Sequence, residues 1–337
     1  MLAAGLGLLG FFGYDYYQLN MAPNVPVKLS NAVLLIPTGA SYPQVLDSLR
    51  KNGMLIQEGS FEKAAGKMGY NKPEVRSGRF EIKSGWSNKQ LIRHLQIGSQ
   101  APVKVVLNNE RLPENVAAKV ARFLEMDSLA FMKAFQDTQL LSKMNYNPET
   151  LMSLFIPNTY QMYWNTPPEQ FLERMKEENL KFWAKDGRME KALALDMTPE
   201  EVYTLASIVE KETNQNQEKK RMAGVYLNRL KIGMRLQADP TCVFATRDFT
   251  TKRVTNYHLE FDSPYNTYIY AGLPPGPIAM ASIASIDAVL NAEEHDYFYF
   301  VAKGDASGLH MYAQTLAGHN QNITVYKANL RKFNSGR

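Results

Sequence analysis

Apolar residues recur along the chain at two spacings, and each spacing predicts a different kind of element. Alternation or a short apolar run predicts a strand, whereas repetition every three or four residues predicts an amphipathic helix. In the first third of the chain these patterns predict, in order, a strand at 33–36, helices at 42–49 and 61–68, a strand at 78–82, and a helix that begins at Ser87 and ends at Gly98. Together they indicate a small α/β module of about seventy residues, which is a normal size for a domain.

The rest of the chain is predicted to form a larger domain of mixed elements. The patterns indicate a strand at 102–107, helical sequence from Pro113 to about Lys143, an aromatic loop between Pro148 and Pro168, a helix at 169–185, and a strand at 296–301. The predicted fold class is therefore α+β. The small module is placed at 33–104 and the larger domain at 105–337.

The N-terminus reads as a membrane anchor. Residues 1–13 are all apolar or glycine, and three tyrosines and Leu19 extend this stretch, as at a membrane interface. We expect an uncleaved single-pass anchor at 1–19 in the cytoplasmic (inner) membrane, a proline-containing linker at 20–32, and the remainder outside the cytoplasm. The alternative is a soluble protein with an apolar first helix.

Composition narrows the function only slightly. The 337 residues carry a net charge of +5 without any run of five like charges, so no nucleic-acid partner is expected, although acidic peptide stems on a wall polymer would suit the sign. The single cysteine, Cys242, is interpreted as a small buried residue. No histidine spacing is typical of a metal site, and no cofactor motif is credible.

The chemically interesting helix begins at Thr198. Thr198, Pro199 and Glu201 combine an N-cap, a proline at the first position and a capping-box glutamate. Residues 202–209 then carry an apolar stripe that should face the core, with Glu210 flanking it on one side and Glu212 on the other. Burial raises the pKa of such a carboxyl group, so either glutamate could keep a proton near neutral pH for cleavage of a sugar acetal. Helix geometry alone does not choose between them.

Five motifs in a fixed order resemble the YceG-like (MltG) family of endolytic murein transglycosylases. They are Ile208-Val209-Glu210-Lys211-Glu212, Asn228-Arg229-Leu230, Leu236-Gln237-Ala238-Asp239-Pro240-Thr241, Tyr265-Asn266-Thr267-Tyr268 and Gly272-Leu273-Pro274-Pro275-Gly276. The N-terminal module likewise resembles the LysM-like domain of that family. One loop departs from the family pattern, with Met152-Ser153 in place of Glu-Gly and Asn158 in place of Asp.

The resemblance implies which residues carry the chemistry. Glu210 would be the catalytic acid, and the residues implied to bind substrate are Gln237, Asp239, Thr241, Asn266, Tyr268 and Asn228. A structural interpretation stays open for these positions, because the Asp239-Pro240 pair could be only a turn and Tyr268 could belong to the core.

The implied reaction is cleavage of the β-1,4 bond between N-acetylmuramic acid and N-acetylglucosamine, giving 1,6-anhydro ends and terminating strand elongation. One carboxylate suffices, because the 6-hydroxyl of the sugar replaces water. Implied partners are the glycan strands, the inner membrane and peptidoglycan synthases. Two alternatives remain: a hydrolase with Asp239 as second carboxylate, and a non-catalytic wall-binding or scaffold protein.

Overall fold

The computed structural model describes residues 13–335, and the chain forms two compact units. The N-terminal unit extends to Val105 and also includes Phe123–Met126 and Gln161–Pro167. The C-terminal unit contains Val106–Arg122, Asp127–Tyr160 and the chain from Pro168 onward. The mixture of many helices with small sheets confirms the α+β class.

The N-terminal unit is built on one antiparallel strand pair with helices on it. In chain order its elements are β1 (Val33–Ile36), α1 (Tyr42–Lys51), α2 (Glu58–Lys67), β2 (Gly78–Glu81) and α3 (Asn88–Ile97). Val33 pairs with Glu81 and Ile36 with Gly78. Ser87 caps α3 by accepting a hydrogen bond from the Gln90 amide, and Gly98 follows the helix as predicted.

The predicted anchor lies largely outside the described residues. Residues 13–20 are helical, and Leu19 at their end is buried in the core of the N-terminal unit, 2% exposed. Asp15 pairs with Lys67 of α2 at 3.2 Å. Among residues 13–335, no helix has the length and apolar character needed to cross a bilayer.

The C-terminal unit is mainly helical. Its helices are α4 (Pro113–Val120), α5 (Ser128–Gln136), α6 (Thr138–Lys143), α7 (Pro168–Trp183), α8 (Arg188–Ala194), α9 (Pro199–Glu212), α10 (Asn216–Lys231), α11 (Asp239–Thr246), α12 (Asn256–Glu260), α13 (Ile283–Leu290) and α14 (Leu316–Ser335). A 3₁₀ turn spans Leu151–Leu154. Its strand pair is β5 (Tyr299–Ala302) with β6 (His310–Ala313), which is antiparallel. Strands β3 (Val103–Leu107) and β4 (Asn158–Met162) also pair with each other, and each contains residues that belong to the N-terminal unit.

Helix α9 is the centre of the C-terminal unit. Its capping box at Thr198 and Glu201 forms as predicted. Every residue from Val202 to Val209 is buried, which is more than the one-sided stripe predicts, because α10 and α13 both pack against the helix. Buried hydroxyl groups also hold α9 in place, since Ser207 Oγ accepts a bond from the Ile278 amide at 3.0 Å. The two glutamates therefore emerge at the end of a helix whose middle two turns are completely buried.

Candidate active site

The Glu210 carboxylate is held by three donors. Lys219 Nζ lies 2.9 Å from Glu210 Oε2, and the hydroxyl groups of Ser282 and Ser285 donate to the same oxygen. Burial alone would raise the pKa of Glu210, but these hydrogen bonds outweigh it and the pKa lies below its ordinary value. Glu210 is therefore ionised near neutral pH. The raised pKa that the sequence pattern predicts for it is a wrong expectation, because the pattern could not show these partners from α10 and α13.

Glu212 has the opposite environment. Burial raises its pKa to about 7, and the nearby negative charge of Asp239 adds to the rise. One hydrogen bond, from the Tyr226 hydroxyl to Glu212 Oε1 at 2.7 Å, works against it, as does the more distant charge of Arg229. A carboxyl group with this pKa is partly protonated at pH 7, as a general acid must be.

Glu212 lines a cavity of about 280 Å³ in the C-terminal unit. The lining residues are Arg111, Lys211, Glu212, Asp239, Pro240, Val243, Phe244, Phe249, Thr251 and Ile278. Glu210 is absent from this lining, so the two glutamates of one motif have separate surroundings. The cavity combines an acid, a carboxylate, two cations and several apolar side chains.

Asp239 and Tyr268 belong to this site together. Asp239 is the first residue of α11, and the Tyr268 hydroxyl donates to Asp239 Oδ1 at 2.6 Å. Burial raises the pKa of Tyr268, and the hydrogen bond to Asp239 raises it further, so the phenol keeps its proton. Gln237 lies two residues before Asp239, with an exposed side chain and a left-handed backbone (φ 49°).

Thr241 and Asn266 are buried, and the polar atoms of both side chains form hydrogen bonds within the protein. Thr241 Oγ1 donates to the Ala238 carbonyl at 2.6 Å. Asn266 Nδ2 donates to the carbonyl groups of His258, Leu259 and Phe261, and its Oδ1 accepts from the Cys242 thiol and the Tyr268 amide. These bonds hold the loop of Tyr268 against α11, the helix that begins with Asp239.

Asn228 lies elsewhere in the unit. Its Nδ2 donates to the carbonyl groups of His295 at 2.7 Å and Tyr297 at 3.1 Å. It therefore fastens α10 to the segment that leads into β5, and it is outside the cavity lining. Met152 and Ser153, in the loop that departs from the family pattern, are likewise outside the cavity lining. Both are buried in the 3₁₀ turn.

Six lining residues lie outside the motifs of the sequence analysis: Arg111, Val243, Phe244, Phe249, Thr251 and Ile278. Arg111 follows β3, a hundred residues before Glu212, and nothing periodic marks it. Lys211 lies inside the recognised motif, between the two glutamates, so its position was a usable signal. In the described part of the chain, no cluster of three or more histidine, cysteine or acidic residues could hold a metal ion.

A carboxylic acid titrating near pH 7, in a cavity that a second carboxylate shares, is the arrangement of an enzyme that cleaves glycosidic bonds by acid catalysis. The model of the YceG-like family matches residues 34–325, and the chain belongs to that family.

Two relatives and one solved structure agree with this assignment. An endolytic murein transglycosylase of Bacillus subtilis (strain 168) is 30% identical over 308 residues, covering 85% of this chain and 82% of the relative. One of Streptococcus pneumoniae (strain ATCC BAA-255 / R6) is 26% identical, covering 97% of this chain but only 63% of the relative. The crystal structure of a YceG-like protein of Listeria monocytogenes matches with a TM-score of 0.57 and 27% identity, covering 87% of this chain and 99% of that one.

Proposed function

We propose that the protein is an endolytic murein transglycosylase, which cleaves glycan strands between N-acetylmuramic acid and N-acetylglucosamine and leaves 1,6-anhydro ends. The observation that carries the proposal is Glu212, an acid with a pKa of about 7 that opens into a cavity. The function of the two relatives supports the reaction class.

We assign the catalytic proton to Glu212 rather than to Glu210. Glu212 in its protonated form donates to the bridging oxygen as the glycosidic bond breaks, and the departing sugar leaves as the alcohol. The remaining sugar becomes an oxocarbenium-like species, and its own 6-hydroxyl attacks the positive carbon. Ionised Glu212 accepts the proton of that hydroxyl and is restored. Water is not consumed, and one carboxyl group serves both steps.

Asp239 supplies the negative charge that this mechanism needs. Its carboxylate lies in the same cavity as Glu212, where positive charge develops, and electrostatic stabilisation of developing charge is a large term in catalysis. The Tyr268 hydroxyl holds one of its oxygens, which fixes the direction of the other. Asp239 also helps to keep the proton on Glu212 before the reaction, since its charge raises the pKa of that acid.

Hydrolysis is the second candidate, because Asp239 shares the cavity with Glu212 and could activate water. The products separate the two reactions. A transglycosylase gives ends that are lighter by one water and take no oxygen from solvent, whereas a hydrolase incorporates labelled oxygen from the solvent. We expect mass spectrometry of glycan digested in ¹⁸O-water to show unlabelled anhydro ends.

The two glutamates provide a matched pair of variants for the catalytic assignment. Glu212→Gln keeps the hydrogen bond from Tyr226 but has no acidic proton, so cleavage should fall by at least about a thousandfold. Glu210→Gln should retain most of its cleavage per folded molecule. Retention of near-parental activity by a folded Glu212→Gln protein would refute both the assignment and the enzymatic proposal for this cavity. Loss of activity only in Glu210→Gln would return the role to Glu210.

The finer organisation is also proposed. The N-terminal unit has two helices between antiparallel strands, which supports a LysM-like module at 33–104 that binds glycan. Residues 1–19 are proposed to hold the protein at the outer face of the inner membrane, near peptidoglycan synthases. Binding of the full-length protein and of a deletion of residues 33–104 to insoluble peptidoglycan would test the module.

A further inference from the structure

Two cations in the wall of the Glu212 cavity have no anionic partner. Arg111 and Lys211 both line the cavity, and within residues 13–335 neither side chain forms an ion pair or a hydrogen bond. Partly buried basic side chains are normally paired, because leaving their charge unpaired away from water is costly. Such a pair of cations therefore requires an explanation.

The nearby carboxylates that could neutralise these two cations already contact other side chains. Glu110, next to Arg111, pairs with Lys119 at 2.9 Å. Glu114, three residues further along the chain, pairs with Arg247 at 3.2 Å, and Glu210, next to Lys211, pairs with Lys219. Asp239 accepts the hydroxyl of Tyr268. While Glu212 is protonated, the cavity wall thus holds two cations against one carboxylate, an excess of one positive charge.

The same two side chains are held close enough to repel each other. Burial lowers the pKa of Lys211 and the charge of Arg111 lowers it further, and the opposing charge of Glu210 does not cancel these two effects. The Arg111 guanidinium lies over the ring of Phe249, 4.5 Å from its centre, a contact that restrains its position. The loop of Arg111 is anchored as well, because the Glu110 carbonyl accepts the Met280 amide at 2.8 Å. The cations are therefore preorganised, although their proximity is unfavourable in the empty site.

We propose that Arg111 and Lys211 form a carboxylate-binding subsite, which receives an acidic substituent of the glycan beside the bond that Glu212 cleaves. The inference rests on the proposed function, since murein carries carboxylates on its muramic residues. A bound carboxylate would accept hydrogen bonds from both cations and remove their repulsion, whereas a neutral glycan would leave them unpaired. The subsite therefore selects anionic glycan strands by rejecting neutral ones.

Two carboxylate sources fit this chemistry, and synthetic ligands distinguish them. One source is the peptide stem, and the other is the lactyl group of a muramic residue without peptide. The ligands are tetrasaccharides with free stem carboxylates, with the same stems amidated, and without peptide. Binding is measured by calorimetry to the full chain with Glu212→Gln, which prevents turnover.

We expect the ligand with free stems to bind about tenfold more tightly than the amidated one, a difference of about 1.4 kcal/mol. Arg111→Gln and Lys211→Gln should each remove most of that difference, and Lys231→Gln, an exposed charge change outside this cavity, should leave it intact. Preference for the peptide-free ligand over the amidated one would support the subsite with the lactyl group as its source. Equal affinity for all three ligands, unchanged in the variants, would overturn it.

A stability measurement keeps the test independent of ligand choice. Lys211→Gln relieves the repulsion in the empty site, so its Tm should stay level or rise. A clear fall in Tm for Lys211→Gln would show that its ammonium group has a structural partner, and the subsite would be wrong. Failure of the proposed function looks different: the wild-type protein would then give no 1,6-anhydro ends, or Glu212→Gln would still cleave glycan, whatever the ligand affinities.

Discussion

At the scale of single residues, two glutamates two positions apart differ in protonation because their partners differ. Glu210 receives a cation and two hydroxyl donors, all of which favour the ionised form. Glu212 receives one phenol donor and faces another carboxylate, so burial dominates. Their sequence context is nearly identical, and only the contacts made by distant segments separate an anchoring carboxylate from an acid.

The raised pKa of Glu212 predicts a pH-dependent stability. The folded protein holds this proton up to about pH 7, whereas the unfolded chain releases it near the ordinary value of 4.5. Unfolding between these values releases a proton, so the free energy of unfolding should decline as pH rises from 4.5 to 7. The shift corresponds to roughly 3 kcal/mol, which partial solvent access reduces to about 2 kcal/mol. Denaturant titrations of wild type and Glu212→Gln across this range should differ by that slope, and parallel curves would contradict it.

The same acid predicts the pH dependence of activity. Catalysis needs the protonated carboxyl group, so kcat/KM should fall as pH rises above about 7. Initial rates on soluble glycan between pH 5 and 9 would locate the midpoint. Asp239→Asn removes the charge that helps to hold the proton, so any residual activity of that variant should decline at lower pH. A midpoint unchanged by Asp239→Asn would mean that this charge does not act on Glu212.

The ion pair between Glu210 and Lys219 predicts that replacing Glu210 lowers the stability of the fold but leaves catalysis largely intact. Glu210→Gln leaves the Lys219 ammonium, 6% exposed, without its counter-charge, and breaking a buried pair from one side costs about 3 kcal/mol. Adding Lys219→Met removes the stranded charge and should recover much of this loss. Chemical denaturation of the single and double variants measures both steps. A double variant less stable than Glu210→Gln would show that Lys219 is held by other contacts.

At the scale of elements, close backbone contacts fix the loops around the site. An added Cβ at Gly276 would lie 1.9 Å from the Glu149 carbonyl oxygen, which belongs to the backbone and cannot rotate away. Gly276→Ala should therefore destabilise the C-terminal unit by about 2 to 3 kcal/mol. Gly66→Ala is the matched control, because Gly66 lies inside α2 facing open space, and alanine there should stabilise by up to about 1 kcal/mol. Equal thermal shifts in the two variants would contradict this account.

The elements themselves were largely predictable, and the site was only partly so. Local signals such as the Thr198 capping box and the Ser87 cap placed helix starts correctly, because they act within a few residues. The choice between Glu210 and Glu212 depends on Ser282, Ser285 and Tyr226, which no local pattern connects to α9. The burial of Asn266 likewise follows from three carbonyl groups of a neighbouring loop. Contacts between residues far apart in the sequence therefore determine the parts of the site that the sequence patterns could not predict.

At the scale of the whole molecule, the N-terminal unit includes two short segments that lie further along the sequence than its main segment. The sequence patterns placed its end near residue 104, but the unit also contains Phe123–Met126 and Gln161–Pro167. Thr38 donates from both its amide and its hydroxyl group to Glu125, each at 2.6 Å, and Asn165 donates to Ser77 at 2.9 Å. These two segments are separated from the main segment by stretches of chain that belong to the C-terminal unit. The pattern of hydrophobic residues along the sequence cannot reveal that they belong to the N-terminal unit.

Two N-terminal deletions should therefore behave differently. Removing residues 1–12 leaves Leu19 in the core of the N-terminal unit, whereas removing 1–19 takes it away together with the pair of Asp15 and Lys67. Loss of a buried leucine typically costs about 2 to 5 kcal/mol. We expect thermal unfolding of this unit to be unchanged by the first deletion and lowered by the second. Membrane fractionation of both variants tests the proposed anchor, because an anchored protein should leave the membrane fraction in each case.

The cavity around Glu212 carries both signs of charge within about 280 Å³, and this has a consequence for inhibitor chemistry. A cationic sugar mimic, such as an iminosugar, would be attracted by Asp239 but repelled by Arg111 and Lys211. Attaching a carboxylate to the same ring would turn that repulsion into attraction. The scaffold suited to this protein is therefore a zwitterion, with an ammonium group at the reacting carbon and an acid on its substituent.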